Sequence, residues 1–144
     1  MLSNDYDEAV GQLKMDDVEE LENKQLKKLF ISCPMHGRTK EAIEKSMDKM
    51  HKIAEIYFDQ KLEVLNHEID VFDDWQYEMI VLSKNIKNLY EADYFIGIGP
   101  NYKWFNCKVE WEIAHYYAIP KAQVEIDCIA PDVCEKYCDL KQNI

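Results

Sequence analysis

Positive charge is what this chain has least of: its 144 residues carry 28 acidic against 17 basic side chains, a formal charge of -11. A surface of that sign repels duplex phosphates and anionic lipid, which argues against general nucleic-acid binding and against a membrane-surface protein. Long apolar runs are missing as well. Nothing reaches the roughly 20 residues of a membrane span, the start lacks the basic-then-apolar layout of a secretory leader, and a cytoplasmic protein is expected. The five cysteines, Cys33, Cys107, Cys128, Cys134 and Cys138, are odd in number and contain no CxxC pair. Cys134 and Cys138 stand four apart and with Cys128 invite a metal reading, but no nearby histidine completes it, so reduced thiols and no metal or cofactor are expected. Internal repeats and low-complexity segments are also absent. What remains is a chain of one domain's length, long enough to bury a single core.

Residues 1–27 read as an acidic, helix-like extension. Asp16-Asp17-Val18-Glu19-Glu20-Leu21-Glu22 precedes Lys24, Lys27 and Lys28, an order that suits a helix dipole, while Val10, Leu13, Val18 and Leu21 give a partial apolar stripe. A docked helix, an oligomer contact and a loose arm all fit it. Residues 28–144 read as the domain proper. Leu29 to Ser32 is a short apolar strand broken by Pro34 and Gly37, and Ile43, Met47, Met50, Ala54 and Tyr57 space out a helix from Lys40 to Asp59. Leu62 to Leu65 is a second strand leading into Asn66-His67-Glu68, and Trp75, Met79, Leu82, Ile86 and Leu89 mark a helix ending near Ala92. Tyr94 to Ile98 and Ala122 to Ile126 complete the strands, and Asp132 would cap a closing helix to Leu140. Strands alternating with helices predict an α/β, flavodoxin-like or Rossmann-like three-layer sandwich with a mainly parallel sheet of four to five strands. Its ligand cleft would lie beyond the carboxyl ends of the strands, gathering Ser32 to Arg38, Asn66 to Glu68, Gly97 to Asn101 and the helix that bears Glu110.

That helix is the stretch from Asn106 to Pro120. Asn106 is a suitable N-cap, Val109, Ile113 and Tyr116 recur at helical spacing, and Pro120 ends the pattern. Glu110 would then sit in the first turn, kept ionised by the helix dipole and projecting away from the apolar face. An acid there is ordinary helix chemistry, and a positioned carboxylate is also a nucleophile.

As a pattern, Glu110, Ala114, His115 and Pro120, preceded by the strand-like Ala92-Asp93-Tyr94-Phe95-Ile96-Gly97-Ile98, resemble the nucleoside 2-deoxyribosyltransferase family. Leu29-Phe30-Ile31-Ser32-Cys33-Pro34-Met35-His36-Gly37-Arg38 resembles that family's first strand and the loop after it. In size the chain is most similar to the deoxynucleoside monophosphate N-glycosidases and to short, often phage-encoded relatives of unassigned function. The resemblance implies that Glu110 attacks the anomeric carbon of a deoxyribosyl group to give a glycosyl-enzyme intermediate, with Asp93 as a second catalytic residue. Asp93 also reads simply as a residue that starts a strand. The implied ligand contacts are Ser32, Cys33, Pro34, Met35, His36, Gly37 and Arg38, with phosphate at Gly37 and Arg38, together with His67, Gly99, Asn101, Trp104 and Asn106. Tyr102, Trp104 and Phe105 would stack on a base or pack on the sheet edge or a neighbouring subunit. Relatives complete their sites from a neighbouring subunit, so a homodimer or higher even oligomer is expected.

Three positions depart from the pattern: Phe30 stands for a tyrosine, Asn85 for an aspartate and Trp104 for a serine. The leading expectation is a nucleoside- or nucleotide-binding protein that cleaves or transfers at the N-glycosidic bond through Glu110. The alternative is a non-catalytic protein that sequesters a nucleotide, for instance a signalling one, in a phage-encoded counter-defence role.

Overall fold

The computed structural model describes residues 26–66, 75–101 and 103–133. Residues 1–25 of the extension, His67, Glu68, Tyr102, Cys134, Cys138 and the remainder of the helix expected from Asp132 to Leu140 lie outside the described residues.

Four parallel strands run in the order β2-β1-β3-β4: β1 (Lys27–Ser32), β2 (Leu62–Val64), β3 (Tyr94–Gly97) and β4 (Lys121–Gln123). Between them come helices α1 (Lys40–Tyr57), α2 (Trp75–Tyr90) and α3 (Phe105–Tyr116), followed by the short α4 (Ile126–Ile129) and a 3-10 turn at Pro131–Val133. The chain is thus the expected α/β, flavodoxin-like three-layer fold. No described helix is long and apolar enough to cross a membrane. Because β1 to β2 steps one way across the sheet and β3 to β4 the other, right-handed crossovers put α1 on one face and α2 and α3 on the opposite one. The order reverses between β1 and β3, whose register runs from Leu29 opposite Tyr94 to Ser32 opposite Gly97. A cleft opens beyond that point.

The alternation of β1 divides the interior. Leu29, Ile31 and Cys33 join Ile43, Met47, Met50 and Ala54 of α1 in the larger apolar cluster, whereas Phe30 joins Phe95, Leu89 and Ala114 on the α2–α3 side. Thr39 starts α1 by accepting a hydrogen bond from the Ala42 amide at 3.2 Å. Tyr57, expected in the α1 stripe, is exposed because the helix ends there.

Elsewhere the expected elements stand with shifted edges or faces. On α2, Met79 and Ile86 point outward, and Glu78, Val81 and Asn85 face the cleft instead. On β4, pairing follows β3, which ends at Gly97, so the last ladder bond is Val124 N–H to Gly97 O at 2.9 Å and Ile126 begins a helix rather than ending a strand. Asp132 caps nothing longer among the described residues: it lies within the 3-10 turn, and its carboxylate faces Arg38.

Candidate functional site

The helix carrying Glu110 begins earlier than its sequence suggests. Asn101 Oδ1 accepts from the Lys103 amide at 3.0 Å and Asn101 O from the Trp104 amide at 3.1 Å, a turn that delivers the chain into helix at Phe105. Trp104, without a side-chain cap bond, is the N-cap, and Asn106 is inside the helix. Glu110 is therefore the sixth helical residue, past the first turn where the dipole acts most strongly. The face is different too. Cys107, Glu110 and Ala114 are buried, Val109 and Ile113 are half-buried, and Tyr116 is exposed. Small Cys107 and Ala114 let the helix approach the sheet closely, and the carboxylate between them is turned inward.

Glu110 is 2% exposed. Its Oε1 accepts a hydrogen bond from Ser32 Oγ at 2.8 Å and its Oε2 one from Asn85 Nδ2 at 2.9 Å. Ser32 comes from the carboxyl end of β1 and Asn85 from α2, so three elements meet on one carboxylate. Gly97 leaves the room for this: a Cβ there would stand 2.8 Å from the Phe95 ring and 3.2 Å from Ser32 Cβ. Burial dominates the electrostatics and pushes the Glu110 carboxyl up from an ordinary 4.5 to about 7, against the pull of the Ser32 and Asn85 donors. Of the roughly four lone-pair positions of a carboxylate, these two donors take up one on each oxygen.

A cavity of about 270 Å³ lies over it, near the lower end of small-molecule pockets, which run from about 300 to 1,000 Å³. Cys33, Pro34, Met35 and His36 line one side, Glu78, Val81 and Asn85 of α2 another, and Lys103, Trp104, Phe105, Asn106, Cys107 and Glu110 a third. The two thiols are free and buried. Burial pushes Cys33 up to about 12 and Cys107 well above its ordinary value, so both stay protonated and act as small wall residues rather than nucleophiles. At the rim, His36 Nδ1 is hydrogen-bonded to Glu78 Oε1, tying the loop after β1 to α2. Among the described residues no cluster of three or more His, Cys, Asp or Glu is arranged to hold a metal ion.

Cys33, Pro34, Met35, His36, Trp104 and Asn106 thus lie with Glu110 as expected, and Ser32 reaches it by its hydroxyl. The other expected residues serve elsewhere. Asp93 lies at the amino ends of the strands, its Oδ2 accepting from the Lys28 amide at 2.9 Å, so its part is the strand-starting one. Arg38 is 4% exposed and does not line the cavity: Nε and Nη2 make two 3.0 Å bonds to Asp132, Nη1 reaches Pro34 O at 2.7 Å, and Nη2 also reaches Ser46 Oγ at 2.7 Å. A guanidinium enclosed in that way ties loop, helix and 3-10 turn together instead of holding phosphate. Gly37 and Gly99 have positive φ, at 73° and 86°, and shape turns. Asn101 forms the turn before α3, and Asn66 closes β1 by bonding both Ile31 N and Ile31 O. His67 is outside the described residues. Sequence reasoning missed Glu78, whose signal was its place seven residues before Asn85 on one face of α2.

No protein family, curated protein or solved structure matches this chain.

Proposed function

We propose that the protein binds a nucleoside or nucleotide and cleaves or transfers at its N-glycosidic bond, with Glu110 as the nucleophile. The observation that carries this reading is the carboxylate itself: fully buried, held on both oxygens by neutral donors, and lining a cavity. A carboxylate with no structural need for its charge, ionising near neutral pH, is disposed to meet positive charge that appears only during reaction, as at an oxocarbenium-like anomeric carbon. Trp104 and Phe105 supply aromatic surface for a flat base. Phe30 brings no hydroxyl, being buried and stacked 5.8 Å from Phe95, but Ser32, two residues on and on the same face of β1, provides one to Glu110.

The test is release of free base, followed by chromatography, from a panel of 2′-deoxynucleosides and their 5′-monophosphates. Wild type should release base from at least one, and Glu110→Gln, nearly identical in shape, should lower the rate roughly 10³-fold or more while binding changes little. If no member of the panel is cleaved but one raises the melting temperature, the second reading holds: a protein that sequesters its ligand, in line with Phe30 and with Asn85, whose amide cannot deliver a proton.

A further inference from the structure

Loss of a nucleobase from an uncharged nucleoside requires a proton for the departing ring, and Glu110 cannot supply it while acting as nucleophile. Of the other polar groups around the cavity, Asn85 and Asn106 have no proton to release, the thiols of Cys33 and Cys107 hold theirs too firmly, and the Lys103 ammonium is held over the Trp104 ring, 5.9 Å from its centroid. His36 and Glu78 remain as a ready-made pair. A carboxylate only accepts, so its hydrogen bond assigns the proton to His36 Nδ1 and leaves Nε2 as the nitrogen that gains and loses the second one. The pair joins the loop after β1 to α2 at the rim, where the His36 side chain is 65% exposed, while Glu110 lies on the floor at 2%. A ligand with its sugar on Glu110 and its base toward the rim meets both groups.

Resting on the reading of Glu110 as nucleophile, we propose that His36, oriented by Glu78, is the acid that protonates the leaving base. In the first step a Glu110 oxygen forms a bond to C1′ as the bond from C1′ to the base nitrogen breaks. The electron pair of that bond moves into the base ring, and the proton on His36 Nε2 passes to a ring nitrogen. Glu78 keeps the imidazole in position through its hydrogen bond with Nδ1. In the second step a water or an acceptor base attacks C1′, its proton goes to the now neutral Nε2, and Glu110 leaves as a carboxylate. Protons and charge balance, and no further reactant is needed.

A substrate that needs no acid separates this role from mere support. N7-methyl-2′-deoxyguanosine already carries a cationic base, which departs neutral, whereas 2′-deoxyguanosine needs the proton. His36→Ala should slow base release from 2′-deoxyguanosine by about 100-fold or more, the usual worth of a general acid, and change the methylated substrate by less than about threefold above its uncatalysed rate. Glu78→Gln should show the same selectivity with a smaller loss, and Glu78→Asp should recover part of it. His36 is exposed, so the variants should keep the wild-type melting temperature. Equal losses on both substrates, no loss on either, or a wild type that cleaves only the methylated one would overturn the acid role. Absence of base release from these and from every member of the panel above would instead overturn the reading of Glu110 on which it rests.

Discussion

Among the described residues two charged side chains are taken out of water, and they are treated in opposite ways. Arg38, the chain's single arginine, meets a full carboxylate in Asp132 and has every guanidinium nitrogen engaged by oxygen acceptors. Among the described residues Glu110 meets a hydroxyl and an amide, and neither carries a compensating charge. The first arrangement satisfies its charge in the ground state and so serves to lock loop, helix and turn together. The second leaves its charge uncompensated, which a purely structural role would not require. The same contrast appears in the two carboxyls. The Arg38 guanidinium beside Asp132 holds its carboxyl below the usual range, and burial holds Glu110 well above it.

Breaking the Arg38 arrangement should produce the largest loss of stability. Asp132→Ala leaves a guanidinium of 1% side-chain exposure without its counter-charge, and because Asp132 itself is 39% exposed, so that water can take the place of the carboxylate, the cost is about 2 kcal/mol. Chemical denaturation should show that loss, and base release per folded molecule should be unchanged because neither residue lines the cavity. A stability within about 0.5 kcal/mol of wild type would mean that Arg38 is reached by water and that the contrast is weaker than drawn.

Neutralising Glu110 should act in the reverse direction. In the folded protein this carboxyl holds its proton up to about pH 7, whereas the unfolded chain releases it near 4.5, so folding becomes less favourable as pH rises through that interval and levels off above it. The full effect is on the order of 3 kcal/mol. Glu110→Gln should therefore melt close to wild type at pH 4 and several degrees above it at pH 8. The same titration should appear in activity, since attack requires the ionised form: wild-type base release should fall as pH drops below about 7. A difference in melting temperature that does not grow with pH would show that Glu110 is not held in apolar surroundings. Asp132 has the opposite linkage, its contribution being lost as pH falls through its depressed value.

How much of this was legible in the sequence follows from what each feature depends on. Strand and helix order was readable because it rests on local periodicity, and the cleft loop from Cys33 to His36 followed from the position of a strand end. The face of α3 was not readable. An apolar stripe at Val109, Ile113 and Tyr116 outranks a glutamate in any local count, and the donors that permit Glu110 to turn inward lie 78 and 25 residues away. Arg38 misleads for the same reason: a loop arginine reads as a ligand contact until Asp132, 94 residues on, is seen to face it. Partners supplied by distant segments decide both cases.

A third carboxylate gives the smallest expected effect and marks the baseline for the other two. Asp93 is exposed, accepts one backbone hydrogen bond from Lys28, and sits just before β3 at the end of the sheet away from the cavity. Ser32, which touches Glu110, lies four residues beyond Lys28 along β1, about 13 Å at the usual rise of a strand. Asp93→Ala removes one charge-assisted hydrogen bond that water replaces, so it should cost about 0.5 to 1 kcal/mol in denaturation. It should also leave the rate of base release within about twofold of wild type, because no reacting atom is within its reach. A hundredfold fall in turnover with stability intact would place the reacting centre at the opposite end of the sheet, and the inference drawn from the buried Glu110 would fail with it.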